Sequence, residues 1–205
     1  MKITARQCLI AAACGLLLAV GCGGEDSKTA SGDAENARSG ASGGERIAAR
    51  GFEASAPHRW VRRDDLLNEL ELPPYGSHVA IIAPDGPGTV ETYIQIYENN
   101  EAGGYEAASA LFGGSRGLRE RACRQTGEAI GGNGAETSLL PVSRRPDDTV
   151  IAGCMVRPNT GSLQYRYTVL KSPVVYDVVG ESQATDPERV LKRPLAQLIE
   201  SIRIP

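Results

Sequence analysis

The chain has 205 residues, 41% hydrophobic and 23% charged, with a formal net charge of −3 and two histidines. That length suits one globular domain with additional segments. The mild acidity and the lack of a basic stripe with interleaved aromatics exclude nucleic acid as an expected partner.

Residues 1–21 read as a secretory leader. Lys2 and Arg6 form a basic start, and the first acidic residue is Glu25. Leu9–Val20 (LIAAACGLLLAV) is apolar and small. It is well short of the roughly 20 residues a transmembrane helix needs. The run closes with Leu18-Ala19-Val20-Gly21-Cys22, which resembles the lipobox of bacterial lipoproteins. The resemblance implies cleavage before Cys22 and diacylglycerol on its thiol. A single acyl chain binds a bilayer only marginally, and the lipoprotein pathway supplies further, palmitate-like chains. Ala19 departs from the branched residue the family prefers. Ala19-Val20-Gly21 also suits an ordinary signal peptidase, which would release a soluble periplasmic protein. Cys14 lies too early in the apolar run to compete. Gly23, where Asp would be the alternative, resembles lipoproteins that Gram-negative cells pass to the outer membrane. The expected location is therefore a Gram-negative envelope, anchored by lipid and facing the periplasm.

Residues 22–50 then read as the lipidated cysteine plus a leash. Gly, Ser, Ala and mixed charges dominate, and Ile47 is the single aliphatic residue. Such a stretch buries too little surface to offset its ordering entropy. A coil of this length spans roughly 30 Å.

A single globular domain is expected over residues 51–205. Asp64–Leu70 is a short helix with an acidic start, stopped by Pro73-Pro74. Val79–Ile82 is a strand before the turn Pro84-Asp85-Gly86-Pro87-Gly88. In Val90–Tyr97, Val90, Thr92, Ile94 and Ile96 alternate with Glu91, Tyr93, Gln95 and Tyr97, the pattern of a half-buried strand. Tyr105–Phe112 is a short helix, and Ser115 caps a longer one ending near Ile130. Glu136–Val142, Thr149–Val156, Leu163–Leu170 and Val174–Val179 are strands joined by short polar turns, hence antiparallel neighbours. Asp186 caps a closing helix with Pro187 at its first position. Val190, Leu191, Leu195, Leu198, Ile199 and Ile202 form its apolar stripe, and Pro194 is expected to kink or split it. The fold class is α+β: an antiparallel sheet of about six strands flanked by helices, with an amphipathic C-terminal helix.

The closing passage, LQYRYTVLKSPVVYDVVGESQATDPERVLKRPLAQLIESIRIP, has two adjacent strands, a Gly-Glu-Ser turn, a loop and a helix ending in Glu-Ser-Ile. It resembles the C-terminal end of PsbP-like domains, including DcrB-type bacterial lipoproteins. That resemblance implies an α/β/α sandwich acting as a binding or assembly module without catalytic residues. The aromatic-rich opening strand usual there is barely matched by Trp60 and Pro73-Pro74-Tyr75-Gly76.

Of the five cysteines, Cys8 and Cys14 leave with the leader and Cys22 takes the lipid. Cys123 and Cys154 remain, and in an oxidising compartment an even pair reads as a disulfide. It would staple the Ser115–Ile130 helix to the Thr149–Val156 strand and contribute about 3–4 kcal/mol. Two buried thiols are the alternative. His58 and His78 read as surface or strand-edge residues, Asp64-Asp65 as helix-start charges, and Asp147-Asp148 as turn residues. Asp85-Gly86-Pro87-Gly88 falls short of a calcium loop, so neither metal nor cofactor is expected.

Gly113-Gly114-Ser115-Arg116-Gly117 spells the hydrolase elbow, but that motif follows a strand and needs a later histidine. No histidine follows position 78. A helix cap explains Ser115 better. Gly132-Asn133-Gly134 reads as a turn, and Tyr165 and Tyr167 as core aromatics. Arg189, Lys192, Arg193 and Arg203 read as solvated charges. The functional expectation is a non-enzymatic binding or assembly module, attached to a lipid bilayer through acylated Cys22, with an envelope protein as partner. The alternatives are an envelope hydrolase using Ser115 and a purely structural lipoprotein.

Overall fold

The structure is a computed structural model that describes residues 44–70, 73–86 and 90–205. The expected leader, Cys22 and the expected leash up to residue 43 lie outside the described residues, as do Pro87 and Gly88 of the expected turn.

Among the described residues, strand structure is already present before the expected boundary at residue 50. Strands β1 (Arg46–Ala49) and β2 (Phe52–Ser55) form an antiparallel hairpin. Its turn is Arg50-Gly51, both with positive φ (52° and 73°), the conformation that suits a two-residue hairpin. The correction has a simple cause. A strand this short needs one buried anchor, and Ile47, the lone aliphatic of the stretch, is fully buried. Averaged composition hides a single anchor.

The main sheet has seven strands: β3 (Trp60–Arg62), β4 (Gly76–Pro84), β5 (Thr92–Asn99), β6 (Glu136–Arg144), β7 (Val150–Arg157), β8 (Leu163–Lys171) and β9 (Val174–Ser182). A 3-10 turn at Asp64–Asn68 stands where a short helix was expected. Helices α1 (Gly104–Gly113) and α2 (Arg116–Gly131) link β5 to β6, and α3 (Pro187–Ser201) closes the chain. The strand order is β3-β4-β5-β9-β8-β7-β6, antiparallel throughout. The α1–α2 connection carries the chain to the far edge, and a meander returns it until β9 pairs with β5.

This is an α+β fold on a large antiparallel sheet, as the element pattern implied. One face is covered by α3 and the β1–β2 hairpin, the other by α1 and α2. Ile94, Ile96, Val178, Leu191, Leu195 and Leu198 form the centre of the main core, on the α3 side. At Gly180 an added Cβ would lie 3.1 Å from Leu191, so the missing side chain lets α3 settle close to β9.

Helix α3 follows its predicted cap: Asp186 accepts from the Arg189 amide at 3.3 Å, with Pro187 at the first position. It runs through Pro194 as one helix, so the expected split does not occur. Leu191 on one side of Pro194 and Leu195 and Leu198 on the other are all buried against the sheet. That packing outweighs the loss of about one backbone bond to the proline.

Candidate functional site

The pleat of β5 places Tyr93, Gln95, Tyr97 and Asn99 on the face covered by α1 and α2, opposite Ile94 and Ile96. This is the half of the strand that reads as solvent-facing in sequence. Gln95 and Tyr97 are buried instead, at 7% and 2% exposure. For Tyr97 the cause is α1, whose Leu111 and Phe112 line one cavity with it.

Strand register aligns these side chains into rows. His78 pairs with Tyr97, Tyr97 with Asp177, Asp177 with Thr168, and Thr168 with Ala152, so one polar row crosses five strands. The adjacent row runs Ile81, Gln95, Val179, Arg166, Cys154 and Leu139. Directly opposed residues on one face lie close enough to interact.

Asp177 is the centre of the first row. One carboxylate oxygen accepts from Thr168 Oγ1 at 2.6 Å and the other from Asn99 Nδ2 at 3.2 Å. Burial pushes this carboxyl above the ordinary carboxylate range, against the pull of Thr168, Asn99 and the Arg166 charge. Burial, reinforced by Asp177, likewise raises the Tyr97 hydroxyl. Arg166 donates to Gln164 Oε1 at 3.3 Å, lies close enough to the Tyr97 hydroxyl to oppose its rise, and makes no ion pair among the described residues. Further along the face, Glu181 accepts from Tyr93 Oη at 2.8 Å and Gln164 Nε2 at 3.0 Å.

Asp64, read from sequence as a helix-start charge, works at the other end. It accepts from the Ile81 amide at 3.0 Å, from His78 Nε2 at 2.9 Å, and from Arg62. Burial alone would raise its pKa; the Ile81 and Arg62 contacts reverse this and hold it below the usual value. An ionised Asp64 requires His78 Nε2 to donate. His78 Nδ1 and Gln95 Nε2 are buried polar atoms without a hydrogen-bond partner among the described residues. Each such atom costs about 1–3 kcal/mol.

Between the sheet and α1–α2 the structure leaves a cavity of about 160 Å³. Tyr75, Tyr97, Arg166, Thr168 and Asp177 line its polar part; Phe112, Leu139, Val142 and Ala152 line its apolar part. Arg119 also reaches it, held by a 3.0 Å bond to the Gly114 carbonyl. The disulfide closes one wall. Cys123 of α2 and Cys154 of β7 are joined, with Cα atoms 5.7 Å apart. Gly127 permits this approach, since a Cβ there would collide with the Thr137 methyl.

Other sequence candidates fall elsewhere. Ser115 caps α2, accepting from the Leu118 amide at 3.3 Å, and α1 precedes it where the hydrolase elbow requires a strand. His58 is exposed. Asp147 stabilises its turn by accepting from Thr149 Oγ1 at 3.0 Å. Tyr165 is buried in the main core and Tyr167 packs against it. Arg189 and Lys192 pair with Asp186 and Glu188 at 3.2 Å on the outside of α3. No described helix is long and apolar enough to cross a membrane. The sequence reading passed over Asp177 and Arg166, although a carboxylate inside Val174-Val175-Tyr176-Asp177-Val178-Val179 was a visible signal.

Strand order and layers together define a PsbP-like fold. The solution structure of cyanobacterial PsbP (CyanoP) from Synechocystis sp. PCC 6803 is similar to this chain, with a TM-score of 0.54 and 13% identity. The match covers 85% of this chain and 98% of that one. No protein-family model matches the chain, and no curated protein matches it in sequence.

Proposed function

We propose that this protein is a non-catalytic binding module, tethered by acyl chains on Cys22 to a Gram-negative envelope membrane and facing the periplasm. Its binding element is the cavity beneath α1 and α2. The observation that carries the reading is the polar row Tyr97, Asp177 and Thr168, a buried tyrosine beside two half-buried partners in the middle of the sheet. A sheet centre of this kind is costly for stability, and it opens on a half-apolar cavity. A few convergent polar groups in an apolar recess are what a ligand site consists of. The PsbP-like fold supports the reading, because PsbP-like domains are mostly binding or assembly modules. The leader and Cys22 support the tether.

An envelope hydrolase would need Ser115 as nucleophile. That hydroxyl is engaged at a helix cap, and the imidazole of His78 is engaged by Asp64. A photo-crosslinking residue at Tyr75, an exposed position on the cavity, tests the proposal in intact cells. The expected result is a discrete adduct that disappears when Ala122→Leu fills the cavity. An adduct indifferent to Ala122→Leu would overturn it. So would a hydrolytic activity abolished by Ser115→Ala with the fold intact.

A further inference from the structure

The cavity limits its occupant by size. Drug-sized ligands need about 300–1,000 Å³, whereas an engineered apolar cavity of about 150 Å³ takes up benzene. At about 160 Å³, this one holds a single ring or a short branched chain. Phe112 and Ala152, with Ala122 of α2, supply the apolar contact.

Charge limits it further. Two guanidiniums, Arg119 and Arg166, line the cavity, and among the described residues Asp177 is its only carboxylate. Arg119 Nη1 is held by the Gly114 carbonyl, which fixes that guanidinium beside α1 while its other donors stay available to an anion in the cavity. Both oxygens of Asp177 already accept from Thr168 and Asn99, and burial favours its neutral form. Arg166 has no carboxylate partner among the described residues, and the fork of a guanidinium matches a carboxylate in two parallel bonds. The remaining polar groups, Tyr75 and Tyr97, bring hydroxyl donors.

From this geometry we infer that the cavity binds a small monocarboxylate with a ring-sized apolar body, its carboxylate on Arg166 and its ring between Phe112, Ala122 and Ala152. The assignment rests on the binding reading above and names the chemistry of that same site. A ligand cation drawn to Asp177 is the competing arrangement, and it would sit beside two arginines.

The test uses the full mature chain carrying Cys22→Ser, which keeps it in solution without lipid. Benzoate, benzylamine and benzyl alcohol are titrated at equal ionic strength while amide resonances are followed by NMR. Benzoate is expected to shift Ala122, Ala152 and Arg166 saturably and to bind at least about tenfold more tightly than benzylamine. Arg166→Gln should weaken benzoate at least about tenfold and Arg166→Lys should restore part of it. Ala122→Leu should abolish the shifts while leaving every charge in place. Benzylamine binding as tightly as benzoate would overturn the carboxylate assignment and leave the cavity as a binding site. Benzoate binding unmoved by Arg166→Gln would place the anion elsewhere and overturn it as well. No saturable shift with any probe would overturn both the assignment and the cavity's role in the proposed function.

Discussion

Removing the Cys123–Cys154 bond is expected to lower stability by about 3.7 kcal/mol, the loop-entropy value for the 31-residue separation. The effect acts mainly on the unfolded chain. In the folded state Val156, Ile130, Ala135 and Leu139 still pack around both cysteines, so α2 keeps its contacts with β6 and β7. For a domain of this size, each kcal/mol moves the midpoint by about 2–4 °C, which predicts a fall of about 7–15 °C. The assay is thermal unfolding followed by circular dichroism. It compares the oxidised protein, the protein in reductant, and the double variant Cys123→Ala/Cys154→Ala. The double variant avoids leaving one unpaired thiol. A midpoint within about 2 °C of wild type in both perturbed samples would refute the reasoning. Alkylation of both domain cysteines in the oxidised protein would refute it at an earlier step, by showing that no bond exists.

Asp177→Asn should alter the pH dependence of stability in a defined direction. The folded-state pKa of Asp177 is raised above the unfolded value, so wild type loses stability from this group as pH climbs from the ordinary carboxylate range through the folded pKa. The variant should lack that loss, and denaturant melts at several pH values that show identical slopes for both proteins would contradict it. Asp64 has the opposite sign: its pKa is depressed, so its contribution is present above the unfolded value and disappears on acidification. Asp64→Asn should therefore flatten the acid side of the same profile. Leu195→Ala, at a site 1% exposed, should cost about 2–5 kcal/mol in urea melts. Pro194→Ala supplies the missing helix donor and should raise the thermal midpoint by several degrees, about 1–2 kcal/mol; an unchanged or lower midpoint counts against the account of α3.

The layers of this fold were legible wherever a pattern ran for a whole element. The α3 stripe and the four strands from β6 to β9 each repeat one signal over eight or more residues. The short pieces β1 and β3 carry a single anchor each, Ile47 and Trp60, and one residue makes no period. Pro194 misled in the opposite sense, because its local cost was read without the packing that flanks it. The candidate site was hidden for a third reason. On β5 the alternation of Ile94 and Ile96 with Gln95 and Tyr97 looks like a core face and a wet face. Only long-range register sets Tyr97 between His78 and Asp177 and turns the supposed wet face into a polar row with Gln95 and Tyr97 buried. The disulfide was the exception among site features. Cysteine arithmetic and compartment leave one pair, whatever the topology.

The claim that this domain works at a membrane surface is tested most directly by the mass of the N-terminal peptide of the mature protein purified from envelopes. The expected result is a peptide beginning at Cys22 and carrying diacylglycerol with a further acyl chain, absent when Cys22→Ala is introduced. An unmodified N-terminus on protein recovered in the soluble fraction would contradict it and leave an untethered periplasmic domain.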